Sequence, residues 1–401
     1  LNQNDYVIIS EFNFILIVRC KMNRNVNEEF KPESISVDNY SDQVNPVGNH
    51  DYNDYLKVSS KGQKMKGFDP EYKDFVDYIL NITHRIWEEK GIGIIYDTYH
   101  NNVTMHAGSV NIVGIKEVIS GTLQTLHAFP DRRLIGQNVI WSPYGKDGYF
   151  SSHRIISTAT NLGDSQFGSA THLKVNFRTT VDCAVEANRI YEEWLVRDNL
   201  WIVMQLKLDP IKIAKEMAKN SKNKSLSSKS AMTFEENMEG QLMPSIYIPK
   251  DNSISEWVKE LLSKIYAKRL FNEVKNYYSE NAAVHFICDQ DLIGHQAIQK
   301  MLVTIFASFP NARYKVDRIT VNKKDEKDVY DIAVRWQLVG LNEGYGFFGK
   351  PTYQTAQLLG INHLIVKENK VVEEWVTFDG LDVLRQLYIK YEPEKNEGEE
   401  I

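Results

Sequence analysis

The stretch Val371-Val372-Glu373-Glu374-Trp375-Val376-Thr377-Phe378-Asp379 decides how this chain is read, because it occurs twice. Its copy is Ile190-Tyr191-Glu192-Glu193-Trp194-Leu195-Val196-Arg197-Asp198. Both contain Glu-Glu-Trp-x-x-x-Asp, both run on to Gln-Leu (Gln205-Leu206, Gln386-Leu387), and the two aspartates stand 181 residues apart. Upstream, Arg154 with Arg335 and Phe167-Gly168 with Phe348-Gly349 keep that offset. Phe129-Pro130 and Arg133 match Phe309-Pro310 and Arg313 at one residue less. Tyr99, Asn102 and His106 match Tyr278, Asn281 and His285 at two less. Single insertions between matched blocks belong in loops. Solenoid periods run to only about 20–50 residues, so this is a duplicated domain, of roughly 140 residues and ordinary size.

Composition agrees with two globular domains. The 401 residues are 42% hydrophobic and 25% charged, average values for such proteins. A formal net charge of −6 offers no basic footprint for nucleic acid. Three cysteines (Cys20, Cys183, Cys288) without a CxxC spacing read as apolar thiols in a reducing, cytoplasmic setting. Tyr6 to Val18 is apolar-rich but short for a bilayer, Glu11 and Asn13 interrupt it, and Asp5 stands where a signal peptide would be basic. No membrane partner is therefore expected. Residues 1–21 read as a tail or upstream read-through, with an added strand as the alternative. Residues 1–66 together read as a disordered N-terminal extension, polar from 23 onward.

The first domain, 67–210, opens at Phe68-Asp69-Pro70, where Asp69 can cap a helix and Pro70 suits its first position. Phe75, Ile79, Ile82 and Ile86 then form a helical stripe. The second domain, 253–390, opens on the capping box Ser253-x-x-Glu256, with Trp257, Val258, Leu261, Leu262 and Ile265 as its stripe. In each domain a segment carrying a histidine follows, then a helix that stops at Pro130 or Pro310. Alternating strands are expected near 133–142, 149–160, 169–185 and 189–198, and near 313–322, 329–339, 352–367 and 370–379. Glu186-Ala187-Asn188 and Glu368-Asn369 supply hairpin turns. Helices first and antiparallel strands after make an α+β pattern. Between the domains, 211–252 reads as a linker that begins with a helix, Pro210 to Met217. Residues 391–401 form an acidic tail.

Helices followed by a long bent sheet that ends in Glu-x-Trp-x-x-x-Asp and a Leu-rich tail resemble the SnoaL-like polyketide cyclases of the cone-shaped nuclear transport factor 2-like superfamily. The resemblance covers about 68–210 and 253–390. It implies two tandem cone-shaped domains, an apolar pocket in each, and pairing of the domains as an internal pseudo-dimer. It implies cofactor-independent general acid/base chemistry of cyclase or aldol type on a small apolar or carbonyl-containing compound. The alternative within the same fold is a non-catalytic module that binds a small ligand or another protein. The resemblance places the acid/base role on Asp198 and Asp379.

Physically, a carboxylate ending an apolar strand beside Trp194 or Trp375 would be desolvated, with a raised pKa; the competing reading is a strand-end cap. His106 and His285 can polarise a carbonyl or trade protons, or serve as hydrogen-bonded structural residues. Tyr99, Tyr278, Trp194, Trp375, His153 and His363 are the candidate ligand contacts. The register of His363 stays open: a two-residue turn sets it opposite Glu374, a three-residue turn opposite Glu373. His127, His153 and His172 occur without HExxH or a Cys/His cluster, and the resembled family works without metal, so neither metal nor cofactor is expected.

Overall fold

Each domain repeats one order of elements. In a computed structural model of the chain, residues 62–221 and 247–389 are described. Most of the expected extension, the middle of the linker and the acidic tail lie outside the described residues. The first repeat runs α1 (Phe75–Trp87), α2 (Ile94–Thr98), β1 (Tyr99–Ala107), β2 (Val110–Val113) and α3 (Ile115–Ala128). It continues through β3 (Arg133–Tyr144), β4 (Gly148–Thr160), β5 (Lys174–Glu186), β6 (Arg189–Arg197), α4 (Asn199–Gln205) and α5 (Pro210–Ser221). The second runs α6 (Ile254–Leu261, prolonged by a wider turn through Ala267), α7 (Val274–Tyr277), β7 (Tyr278–Phe286), β8 (Gln290–Ile293) and α8 (Gly294–Ser308). Then come β9 (Arg313–Lys323), β10 (Val329–Leu341), β11 (Thr355–Lys367), β12 (Lys370–Phe378) and α9 (Gly380–Leu387).

Each repeat folds one six-stranded open sheet, ordered β2-β1-β6-β5-β4-β3 and β8-β7-β12-β11-β10-β9. These are two tandem nuclear transport factor 2-like α+β domains. The sheets are mixed rather than wholly antiparallel: β1 runs parallel to β6, and β7 to β12. Both β5–β6 and β11–β12 hairpins turn on two residues at positive φ, Ala187-Asn188 and Glu368-Asn369, as twist-matched two-residue turns require. A bulge skips Val372, so His363 pairs with Trp375. Neither bulge-free register allows for that extra residue.

Local starts differ from the sequence reading in two places. Asp74, not Asp69, caps α1 by accepting from the Asp77 N–H. Asp69 instead accepts from Asn188 Nδ2 at 2.8 Å and so pins the β5–β6 turn. Ser253 caps α6, but the expected box does not close: the Ser253 N–H donates to Asp251 Oδ1 and Glu256 accepts from the Lys250 N–H. Helix α5 reaches into the expected linker, burying Ile213, Ala214 and Ala218 while Ser221 Oγ accepts from Arg385 on α9.

Both repeats fall within one compact unit, and their sheets meet face to face. Phe150, Ala184, Trp194 and Val196 of the first pack with Leu359 and Ile361 of the second. Asn322 and the Trp141 backbone exchange hydrogen bonds at 3.0 and 2.8 Å across this seam. Among the described residues no helix is long and apolar enough to cross a membrane.

Candidate functional site

Strand β6 alternates between two environments. Glu193, Leu195 and Arg197 face the helices of the first repeat, while Trp194 and Val196 face the seam. The helix side encloses a cavity of ≈ 200 Å³ walled by apolar side chains of α1, α3 and β1, including Ile82, Ile86, Met105 and Val118. Polar groups converge on it: Tyr99, Arg132, His153, Thr179, Glu193 and Arg197. Glu193 is 3% exposed, and among the described residues its carboxyl takes one hydrogen bond, from the Tyr99 hydroxyl at 2.9 Å. Burial pushes its pKa up to about 7, against the lesser pull of Tyr99 and Arg197. Burial pushes His153 down to about 3, so it is a neutral imidazole. His153 Nε2, Arg132 Nη1, Arg197 Nε and Thr179 Oγ1 are all buried without a partner among the described residues. Native interiors seldom leave such atoms unpaired.

In the second repeat the same space is full. Ile155 is replaced by Trp336, which is 5% exposed and donates from Nε1 to Asn362 Oδ1 at 2.8 Å. The residue matching Thr179 is Gly360, where an added Cβ would lie 2.1 Å from the Trp336 indole. The glycine makes the room that the tryptophan takes. Arg132, His153 and Arg197 are matched by Ala312, Val334 and Phe378. Glu374, the counterpart of Glu193, accepts from Tyr278 (2.7 Å), Tyr266 (3.3 Å) and Asn362 (2.6 Å). Its pKa is raised by burial, yet its oxygens are already committed.

With this geometry in place, comparison with known proteins gives a family. Residues 256–387 match the model of the SnoaL-like polyketide cyclases. The second repeat is a SnoaL-like domain. The first repeats its fold, so the chain carries two tandem SnoaL-like copies. Similar solved structures each match about one repeat. A candidate SnoaL-like polyketide cyclase from Jannaschia sp. CCS1 is 18% identical over 35% of this chain and 99% of its own, with TM-score 0.31. AclR, a candidate hydroxylase from Streptomyces galilaeus, is 19% identical over 33% and 95%, with TM-score 0.29. A SnoaL-like polyketide cyclase from Agrobacterium tumefaciens is 17% identical over 34% and 99%, with TM-score 0.28. A search of curated proteins finds no match.

The structure places the two SnoaL-motif aspartates at the seam and not on the cavity wall. Asp198 caps α4, accepting from the Trp201 N–H at 3.1 Å and, across the seam, from the Cys288 N–H at 2.6 Å. Asp379 caps α9, accepting from Leu381 and Asp382 N–H groups and, across the seam, from Asn199 Nδ2 at 2.5 Å. Burial raises both carboxyls, Asp198 to about 6 and Asp379 to about 7, the latter helped by Asp382.

The tryptophans and paired histidines also belong to the seam. His106 stacks on Trp194 and is held by Asn111 and Glu192; His285 stacks on Trp375 and is held by Asp291 and Glu373. Each tryptophan receives an arginine from the other repeat: Arg335 lies 3.5 Å from the Trp194 ring centroid and Arg154 lies 3.4 Å from that of Trp375. His363 is buried there, with Nε2 2.8 Å from Ser152 Oγ, and burial with nearby Arg154 lowers its pKa.

Of the residues expected from sequence, Tyr99 and His153 reach the cavity, and Tyr278 reaches the matching, filled position. Glu193, Arg132, Arg197 and Thr179 were missed. For Arg132, Arg197 and Thr179 the available signal was divergence between aligned positions, charged or polar in the first repeat and apolar or glycine in the second; Glu193 is matched by Glu374 and carried no such signal. Among the described residues, no group of three or more His, Cys, Asp or Glu could hold a metal ion.

Proposed function

We propose that the first repeat is a cofactor-independent enzyme that moves protons on a small carbonyl compound, with Glu193 as its acid/base. One observation carries this reading: Glu193 is a buried carboxyl with a pKa near 7, one hydrogen-bond donor, and an open cavity beside it. Its pKa near the working pH makes it useful in both protonation states. As the carboxylate, Glu193 takes a proton from the carbon next to a carbonyl. The C–H electron pair becomes the C=C bond of an enolate, and the negative charge moves to oxygen. The unpaired Thr179 hydroxyl and the neutral His153 line the cavity where such charge can be stabilised. In an isomerisation the protonated Glu193 returns the proton to carbon; in an aldol closure the enolate carbon bonds to a second carbonyl carbon of the substrate, whose C=O π pair moves to its oxygen, and Glu193 protonates that alkoxide. Tyr99 orients the carboxyl throughout.

The second repeat fits a non-catalytic role, as a scaffold whose sheet supports the first. The observation favouring it is Trp336, seated over Gly360 where a substrate would lie.

A substrate-independent test is the exchange of the α-protons of cyclohexanone in D2O, followed by NMR. Wild-type protein should accelerate exchange, and Glu193→Gln should lose at least 100-fold of that acceleration, the low end of the typical contribution of an acid/base group, about 10²–10⁴-fold. Absence of acceleration would reject the reading. Loss in Asp198→Asn or Asp379→Asn, with Glu193→Gln unaffected, would move the chemistry to the capping aspartates.

A further inference from the structure

The geometry points to a carboxylate-bearing ligand for the cavity of the first repeat, a small apolar body whose acid group is held by Arg132 and Arg197. This rests on the reading that the cavity is the site, but not on any turnover there. Arg132 is 4% exposed. It gives Nε and Nη2 to Ser157 Oγ at 3.1 and 2.9 Å and leaves Nη1 unpartnered. Arg197 leaves Nε unpartnered. Both guanidinium carbons lie near the Phe177 ring, 5.3 and 5.8 Å from its centroid. Among the described residues, neither arginine makes an ion pair.

Two buried cations on one cavity wall, neither in an ion pair, are costly to hold. A guanidinium does not escape by losing its proton. Burial pushes both pKa values down, and for Arg132 the Arg197 charge adds to the effect, so the site gains by taking in negative charge. The carboxylates that act on the arginines are committed elsewhere: Asp379 to Asn199 and the N–H groups of α9, Glu88 to the Leu134 N–H and His84, and Glu193 to Tyr99 while about half protonated at pH 7. The fold does not require the charges either, because the second repeat has Ala312 and Phe378 at these positions.

A carboxylate suits the arginine fork by shape and charge. Much of the remaining wall is apolar, with Ile86, Met105 and Ile112 among its members. A dry cavity of about 150 Å³ takes one benzene, so ≈ 200 Å³ takes a ring with a short acid group.

The test uses the full chain at neutral pH, titrated by calorimetry with benzoate and with benzamide, its neutral isostere. Wild type should bind benzoate at least 10-fold more tightly than benzamide. Arg132→Ala and Arg197→Phe install the residues of the second repeat. Each should weaken benzoate at least 10-fold while leaving benzamide within about 3-fold; where Arg197→Phe does not fold, Arg197→Gln carries the same expectation. The double variant Ile155→Trp/Thr179→Gly fills the cavity and should abolish binding of both. Equal affinity for the two probes, lost on filling, overturns the anion assignment and leaves Glu193 chemistry standing. Binding of neither probe, or benzoate binding that survives filling, overturns the anion assignment as well.

Discussion

The two repeats share a backbone plan but differ inside it. At the seam their residues match: Trp194 with Trp375, His106 with His285, Arg154 with Arg335, Asp198 with Asp379. Inside the helix-covered face they diverge, Ile155 to Trp336, Thr179 to Gly360 and Arg197 to Phe378. The matched set holds the sheets together, each tryptophan capped by an arginine of the other repeat. The divergent set decides whether a repeat is hollow and charged or filled and apolar. The differences therefore mark which repeat is open, while Glu193, matched by Glu374, belongs to the motif that both repeats share.

The largest effect expected is from emptying the second repeat. Trp336→Ala removes a buried indole and leaves Asn362 Oδ1 without its donor. It should cost about 3–5 kcal/mol in urea unfolding. Added indole should then raise the melting temperature of the variant and not that of wild type. A loss below about 1 kcal/mol would show that Trp336 does not fill that space.

A smaller effect separates the repeats by charge. Glu193 rises from its ordinary 4.5 to about 7 on folding. Between those pH values the folded state keeps a proton that the unfolded state releases. Stability from this group is thus complete below about pH 4.5 and falls as pH rises to 7. The loss is about 3 kcal/mol, at 1.36 kcal/mol per pH unit. Glu193→Gln removes the penalty, so it should be more stable than wild type by about that amount at pH 8 and near parity at pH 4.5. A pH-independent difference would mean that Glu193 folds with an ordinary carboxyl.

Much of this was legible in the sequence. Period-two alternation and the Asn-containing turns located β3 to β6 and β9 to β12, and the repeated motif gave the duplication. The parallel pairing of β1 with β6 was not legible, because local pattern does not carry strand direction. Nor was the bulge at Val372, which sets His363 opposite Trp375; one extra residue leaves the hydrophobic alternation on either side looking regular. The site was missed for a related reason. Alternation separates Glu193-Leu195-Arg197 from Trp194-Val196-Asp198, but it does not say which face has room. The tryptophan drew attention to the seam, and the cavity lay behind the other face.

The central claim is that Glu193 stands as a buried carboxyl poised near neutrality while its counterpart Glu374 is locked in a filled core. The direct measurement is a carbon-13 NMR titration of the side-chain carboxyls, with the Glu193 resonance assigned by its absence in Glu193→Gln. A midpoint near 7 is expected for that resonance. A midpoint near the ordinary 4.5 would contradict it.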